Sequence, residues 1–337
     1  MTQLTFGRRS FLRAGGSLLA GAAFGAGVSL PAFADSTERK LTRNTDTVRL
    51  GYGRGGITLL GRERGEMEKE LANKDIKVEW VGPFPNHAPS MQAVVGGSAD
   101  FGFWGSTTPA LAAMLAGSPL VFNSFLVYAP RSTAIIVKKD SGITSVSDLV
   151  GKRVAVNKAG LGEFLLVAAL DQAGVDRAQV EFVYLNPPDA APAFAQNKVD
   201  SWSMWSPGVD IARYENDAID IFNEGKDLDF LVDYSSLVST RKFSEENSEL
   251  VRAVLDAYKV EGEWQSANPE ETERLAQVEG GYADGVRDYL TSLKRVNHFH
   301  EPNDAAFMAD FQRAADWLAE RGIIRQQINV QEHSIQV

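Results

Sequence analysis

Three stretches of this sequence place glycine and small polar residues where a strand turns into a helix, and a fourth opens a helix with Ser-Pro. They are Arg54-Gly55-Gly56, Gly105-Ser106-Thr107-Thr108-Pro109, Lys158-Ala159-Gly160-Leu161-Gly162 and Trp205-Ser206-Pro207. Such a corner aims several backbone N–H groups along the positive end of a helix dipole, so its chemical partner is a small anion. Trp104 and Trp205 flank two of the corners and Leu161 lies inside a third, which suits an anion carrying an apolar tail. In that reading the anion donors are the backbone amides near Gly56, Ser106 and Gly160 with the hydroxyls of Ser106, Thr107 and Ser206. Arg54 and Lys158 add positive charge, and the two tryptophans stack on the tail. His87, after a proline-rich loop and at a helix start, is a further pocket candidate. The plainer alternatives are ordinary strand-to-helix turns, a capping or surface histidine, and solvated cations at positions 54 and 158.

Other chemistries are weaker. Gly51-x-Gly53-x-x-Gly56, with Glu79 near the end of the next strand, has the spacing of a dinucleotide-binding turn. Arg54 puts a bulky cation inside that turn, however, and no second nucleotide-binding half follows. Gly160-x-Gly162 lacks the Lys-Ser/Thr of a phosphate-binding loop. His298-x-His300 is too closely spaced for the helical metal pair and reads as surface histidines. Gly-x-Ser-x-Gly does not occur, and the absence of cysteine removes thiolate nucleophiles and thiolate metal sites. No catalytic residue, metal or cofactor is expected. An exported dinucleotide-dependent oxidoreductase stands as the distant alternative.

The corners need a scaffold, and the 337 residues suffice for one large domain or two smaller ones. Hydrophobic residues make up 44% and charged residues 23%, the balance of a folded protein with a sizeable core. Residues 1–34 read separately. Arg8-Arg9-Ser10-Phe11-Leu12 has the twin-arginine pattern, a weakly apolar run follows, and Ala32-Phe33-Ala34 offers a peptidase site. Export by the twin-arginine route with cleavage after Ala34, into the periplasm, is therefore expected. The net charge of −10 becomes three units more negative once Arg8, Arg9 and Arg13 are lost. An acidic chain without a basic cluster excludes non-specific nucleic-acid partners, so any anion must be held by local groups.

Along the mature chain a polar leader (35–46) precedes a strand at 47–53, a helix at 57–71, a strand at 76–81 and a short helix at 88–96. A strand is expected at 99–104, then the helix after Gly105, and a strand at 120–127. Strands at 133–139, 153–157, 180–185 and 199–204 alternate with helices at 163–173, 190–197 and 207–214. Residues 228–238 run extended, and everything after Phe243 reads as helical, with a last helix at 304–321 capped by Asn303. Alternation of this kind predicts mainly parallel sheets covered on both faces.

Three blocks carry a resemblance: ADFGFWGSTTPALAAMLAGSPL, DSGITSVSDLVGKRVAVNKAG and VYLNPPDAAPAFAQNKVDSWSMWSP. In order and spacing the chain resembles the solute-binding proteins of ABC importers for aliphatic sulfonates, nitrate and taurine, the aliphatic-sulfonate branch above all. The resemblance implies an α/β chain with the type II periplasmic-binding fold, two lobes joined by two crossover strands around a ligand cleft. Lobe I is placed at 47–131 plus 237–337 and lobe II at 132–236, with hinges near Thr133 and Leu237. It also implies a monomer with an ABC permease as partner, and ligand-facing segments around Gly55–Gly56, Phe84 and His87, Trp104–Thr107, Lys158–Leu161 and Trp205–Ser206. Ser106 and Ser206 stand where this family often carries acids, which disfavours the ammonium group of taurine. An organic sulfonate or sulfate ester with an alkyl or aryl tail is favoured, against nitrate, taurine, pyrimidine or aromatic ligands. Desulfinases that resemble this family rely on a cysteine, and this chain has none.

Overall fold

Val48, Leu50 and Tyr52 alternate along the first strand, β1 (Thr47–Gly53), and all three are buried. The helix expected over 57–71 forms as two, α1 (Gly56–Arg64) and α2 (Glu66–Ala72). Gly65, at φ +68°, takes the left-handed conformation and its N–H closes α1 on Gly61 O. The chain then runs through β2 (Lys77–Phe84), α3 (His87–Val95), β3 (Gly105–Ser106), α4 (Thr107–Leu115), β4 (Leu120–Ala129), β5 (Ala134–Lys138) and β6 (Arg153–Val156). Next come α5 (Leu161–Ala173), β7 (Glu181–Tyr184), α6 (Pro187–Ala195), β8 (Ser201–Met204), α7 (Gly208–Glu215), β9 (Ala218–Asn223) and α8 (Glu224–Asp227). The return is β10 (Ser235–Thr240), α9 (Arg241–Glu246), α10 (Ser248–Ala267), α11 (Pro269–Gly280), α12 (Asp284–Ser292), β11 (Val296–His300) and α13 (Ala305–Glu320). This computed structural model describes residues 41–337; the expected export signal and the first half of the polar leader lie outside the described residues.

The strands gather into two halves. Strand β1 pairs in parallel with β2, and Phe101 links it through single bridges to a four-stranded sheet ordered β11-β4-β10-β3. The other half is a five-stranded sheet ordered β7-β6-β8-β5-β9, drawn only from residues 134–223. Strand β5 is buried on both faces. Ala134 and Ile136 enter one apolar cluster with Trp202 and Met204, while Ile135 and Val137 enter another with Val154 and Leu166. In the first half, Phe122 and Phe125 of β4 meet Phe311 of α13, Phe125 also meets Phe307, and Tyr234 packs on Phe307 and Phe311 to anchor the return segment.

Four expectations need correction. The sheets are mixed, not mainly parallel: β10 runs antiparallel to β3 and β4, β11 to β4, and β5 to both β8 and β9. The strands next to the crossovers therefore enter each sheet against the direction that β–α alternation alone implies. Residues 99–104 are not a strand. Phe101 touches β1 on one side and β10 on the other, and the ladder proper begins only at Gly105. The stretch after Phe243 is not all helical, because Val296–His300 pairs with Val127, Tyr128 and their neighbours as an edge strand. Its alternation is short and sits between longer helical stripes. The last helix is capped by Asp304, not Asn303; the Asp304 carboxylate accepts the Phe307 N–H at 3.1 Å.

Candidate functional site

Although similar in sequence, the corners differ in what already occupies them. At the first, Arg54, Gly55 and Gly56 are exposed, α1 has no side-chain cap, and a Cβ on Gly55 or Gly56 would meet nothing within 4 Å. Gly56 needs its glycine for conformation, at φ +71°. Gly53, one turn earlier, faces the Phe103 ring and the Phe84 carbonyl at 3.6 Å. The open N-terminus of α1 therefore follows directly on a glycine that faces the Phe103 ring. The dinucleotide spacing has a different origin. Gly51 is small because the backbone at Phe101 and Phe103 passes at 2.9 Å from where its Cβ would sit, and Glu79 pairs with Lys77 on the surface.

At the second corner the N-terminus of α4 is filled from within. Asp233 Oδ1 accepts the Thr107 hydroxyl at 2.6 Å, the Thr108 N–H at 3.1 Å and the Thr108 hydroxyl at 3.1 Å. Thr107 N–H donates to Tyr234 O. Asp233 is buried, and burial holds its pKa above the ordinary carboxylate range against the hydrogen bonds that oppose it. The expected anion-donor role of Thr107 is thus taken by a carboxylate of the protein itself. Asp233 is a residue that the local pattern misses, since it reaches α4 from 126 positions along the chain.

His87 is buried and works as a wedge. Its ring lies against Gly105, where any Cβ would overlap it, and 5.5 Å from the Phe103 ring centroid. The partner of Nδ1 is the Ser106 carbonyl at 2.8 Å, which can only accept, so Nδ1 carries the proton. Burial pushes the imidazole down to about 4, so it is neutral near pH 7. Ser106 Oγ and Trp104 Nε1 are buried without a hydrogen-bond partner. The Trp104 ring meets Tyr258 and Phe299 edge-on at 5.5 Å and is 8% exposed, so it serves the core of the first half.

The third corner is also tied up locally. Asn157 Oδ1 accepts the Gly162 N–H at 3.0 Å, and its amide covers Gly160. Glu163 accepts the Ala159 N–H at 2.7 Å with one oxygen, and Arg177 and the Tyr184 hydroxyl with the other. Lys158 is exposed, 5.8 Å over the Tyr184 ring. Leu161 is half-buried against the cluster that contains Phe164 and Tyr234. Gly162 abuts the Ser203 carbonyl, which brings this corner next to the fourth. There Trp205 is half-buried against the cluster of Trp202 and Val209, and the Ser206 hydroxyl accepts from Arg295 at 2.9 Å.

The structure therefore groups the first and second corners with Phe84 and His87, and the third with the fourth. Between the two groups run the Arg295 contacts and the apolar cluster shared by Phe164, Val232 and Tyr234. At the crossovers Arg131 makes two hydrogen bonds to Glu224 Oε2, at 2.9 and 2.7 Å, and both side chains are nearly inaccessible. Two surface concavities, about 550 and 450 Å3, lie elsewhere along α13 beside Trp317 and Asp316. Among the described residues, no group of three or more His, Asp or Glu could hold a metal ion, and no helix is long and apolar enough to cross a membrane.

Comparison with known proteins places this geometry in context. The family model described as NMT1/THI5 like matches residues 71–272. A protein of Escherichia coli (strain K12) bearing the name aliphatic sulfonates-binding protein is 28% identical over 294 residues, 85% of this chain and 88% of the relative. The crystal structure of the periplasmic aliphatic sulphonate binding protein SsuA from Escherichia coli superposes with a TM-score of 0.77 at 26% identity, covering 87% of this chain and 93% of that one. The alkanesulfonate-binding protein SsuA from Xanthomonas axonopodis pv. citri, bound to MOPS, matches in fold with a TM-score of 0.77 at 22% identity, covering 88% and 100%. The two halves are thus the two lobes of the periplasmic-binding fold.

Proposed function

The chain belongs to the NMT1/THI5-like family, and on that premise we propose that it is the solute-binding component of an ABC importer, closing two lobes on a small organic anion. The observation that carries the reading is the first corner: an uncapped helix N-terminus, exposed and bare of neighbours at Gly55 and Gly56, just after Gly53 faces the Phe103 ring. The ligand class is an aliphatic or aryl sulfonate or a sulfate ester. The sulfonate oxygens take the amides at Gly55 and Gly56 and the Ser206 hydroxyl, with Arg54 and Lys158 at the rim. The tail lies against Phe84, Phe103 and Trp205. Relatives named for aliphatic sulfonates support that class. Ser106 and Ser206, standing where acids are common, favour a second reading only within the same fold: a receptor for nitrate, a pyrimidine or an aromatic compound.

Closure swings the lobes at the crossovers, one containing Thr133 and the other running up to Leu237. The closed form is what a permease in the inner membrane recognises, and no step of covalent chemistry is involved. The protein acts as a monomer in the periplasm after export through the twin-arginine route. N-terminal sequencing of the exported protein should begin at Asp35; a start at Met1 or Thr2 contradicts this.

A thermal-shift panel of hexanesulfonate, an aryl sulfonate, an alkyl sulfate, nitrate, taurine and a pyrimidine tests the ligand class. A ligand at a hundredfold its Kd raises stability by about 2.7 kcal/mol, so a true ligand lifts the melting temperature by several degrees. The sulfonates and sulfate esters should do so and taurine should not. A shift with nitrate or a pyrimidine alone overturns the sulfonate assignment in favour of the second reading.

A further inference from the structure

Arg295 is the last residue before β11, an edge strand of the four-stranded sheet, yet its side chain reaches the other half of the molecule. Nη1 donates to the Ser206 hydroxyl oxygen at 2.9 Å, in the turn that opens α7. Nη2 donates to the Ser132 hydroxyl oxygen at 2.5 Å, in a crossover, and lies 3.7 Å from Asp210 Oδ2 on α7. The Asp210 side chain is fully buried and that of Arg295 is 18% exposed. One oxygen of Asp210 is used, accepting from Arg213 at 2.6 Å, and Arg213 is held in turn by two oxygens of Asp220. The other oxygen, Oδ2, has no hydrogen-bond partner, and neither has Arg295 Nε. A fully buried carboxylate and a partly buried guanidinium thus face each other across the lobe boundary at a distance too long for a hydrogen bond.

The contact to Ser206 has a chemical consequence. A serine hydroxyl has one hydrogen to give and lone pairs to accept with. An arginine N–H can only donate, so it takes a lone pair of Ser206 Oγ and leaves the hydroxyl hydrogen for another acceptor. Hydrogen bonds in such a chain strengthen one another, so Arg295 makes Ser206 a better donor towards an anion. Because Arg295 is rooted in the opposite half, the orientation of Ser206 also depends on how the two halves sit.

We propose that Arg295 is a positioning residue that ties the Ser206 turn to the opposite lobe, turning the Ser206 hydroxyl hydrogen towards the bound anion and completing its pairing with Asp210 as the lobes close. This rests on the sulfonate-receptor reading for the ligand and on the Arg295 contacts alone for the tie between lobes. Ligand capture and closure are then two readouts of one side chain. Replacing it weakens binding even though it touches no ligand atom.

The test is a double-mutant cycle of Arg295→Met and Ser206→Ala, read by titration with hexanesulfonate and by small-angle scattering without ligand. Each single variant should weaken binding on the order of tenfold, and the double variant should bind no more weakly than either single one. Arg295→Lys, which keeps a donor and the charge, should recover part of the loss and guards against a simple folding defect. In the absence of ligand, Arg295→Met should raise the radius of gyration, because the halves lose a polar tie and keep only their other contacts, such as the apolar cluster around Phe164 and Tyr234. Strictly additive losses, or unchanged affinity in Arg295→Met, overturn the positioning role. If the unaltered protein takes up no hexanesulfonate, the ligand reading fails, and the scattering comparison still decides: an unchanged radius of gyration in Arg295→Met removes the tie as well.

Discussion

The N-termini of α1 and α4 look alike as sequence and differ as places to hold an anion. Both lie at a glycine-containing turn in the first half of the molecule, Gly55-Gly56 before α1 and Gly105-Ser106 before α4. At α4 the position is closed. Asp233 accepts three donors from Thr107 and Thr108, and His87 fills the space beside Gly105. At α1 there is no side-chain cap, and open space surrounds Gly55 and Gly56. The Asp233 carboxyl oxygen takes the hydroxyl and N–H donors that a bound anion would otherwise take. The protein therefore uses one corner to hold itself together and leaves the other exposed. A helix start marks a possible anion site; whether it is vacant depends on residues remote in sequence.

Breaking the closed corner should cost stability, and the largest effect is expected from His87. Its pKa falls from 6.5 to about 4 on folding because burial opposes the charged ring. A depressed folded-state value means that the unfolded chain binds the extra proton. The contribution is complete above pH 6.5 and is lost as pH falls towards 4, up to about 3 kcal/mol. Urea unfolding of wild type should weaken over that window. His87→Asn keeps a donor for the Ser106 carbonyl without titrating and should lose that component of the pH slope; identical slopes contradict the wedge.

Next in size is a paired glycine comparison. Gly105→Ala drives a methyl into the His87 ring and should destabilise by about 1–3 kcal/mol. Gly55→Ala has open space and an extended backbone at φ −174°, and should stay within about 0.5 kcal/mol. Equal losses at the two sites would erase the contrast. The smallest expected effect is at Asp233, whose pKa is raised by burial. The fold therefore favours its neutral form: that contribution is full below the ordinary carboxylate pKa and fades as pH rises through the raised value. Asp233→Asn keeps an acceptor and cannot ionise, so it should gain on wild type as pH rises from 4 to 8. A gap that narrows instead contradicts the assigned burial.

What the sequence reveals follows the range of the interactions involved. Helix α13 is legible because Phe307, Phe311, Ala314, Ala315 and Leu318 repeat at helical spacing, and all five are buried. The lobed architecture is legible because the motif blocks keep a characteristic order. Gly65 as a helix break and Asp304 as a cap are local features that the hydrophobic stripe overrides in a first reading. Strand β11 and the antiparallel returns are set by partners far along the chain, such as Tyr128 opposite Asn297. The same holds for Asp233 beneath Thr107 and for Arg295 on Ser206: their composition is ordinary and only the fold brings them there. Trp104 reads as a ligand contact by proximity, but its ring is committed to Tyr258 and Phe299.

Small-angle scattering of the purified exported protein, titrated with hexanesulfonate, tests the central claim most directly. If the two lobes close on an organic anion, the radius of gyration falls saturably with the sulfonate and is unmoved by an equal concentration of sodium chloride. A radius that stays constant while the sulfonate demonstrably binds would contradict capture by lobe closure.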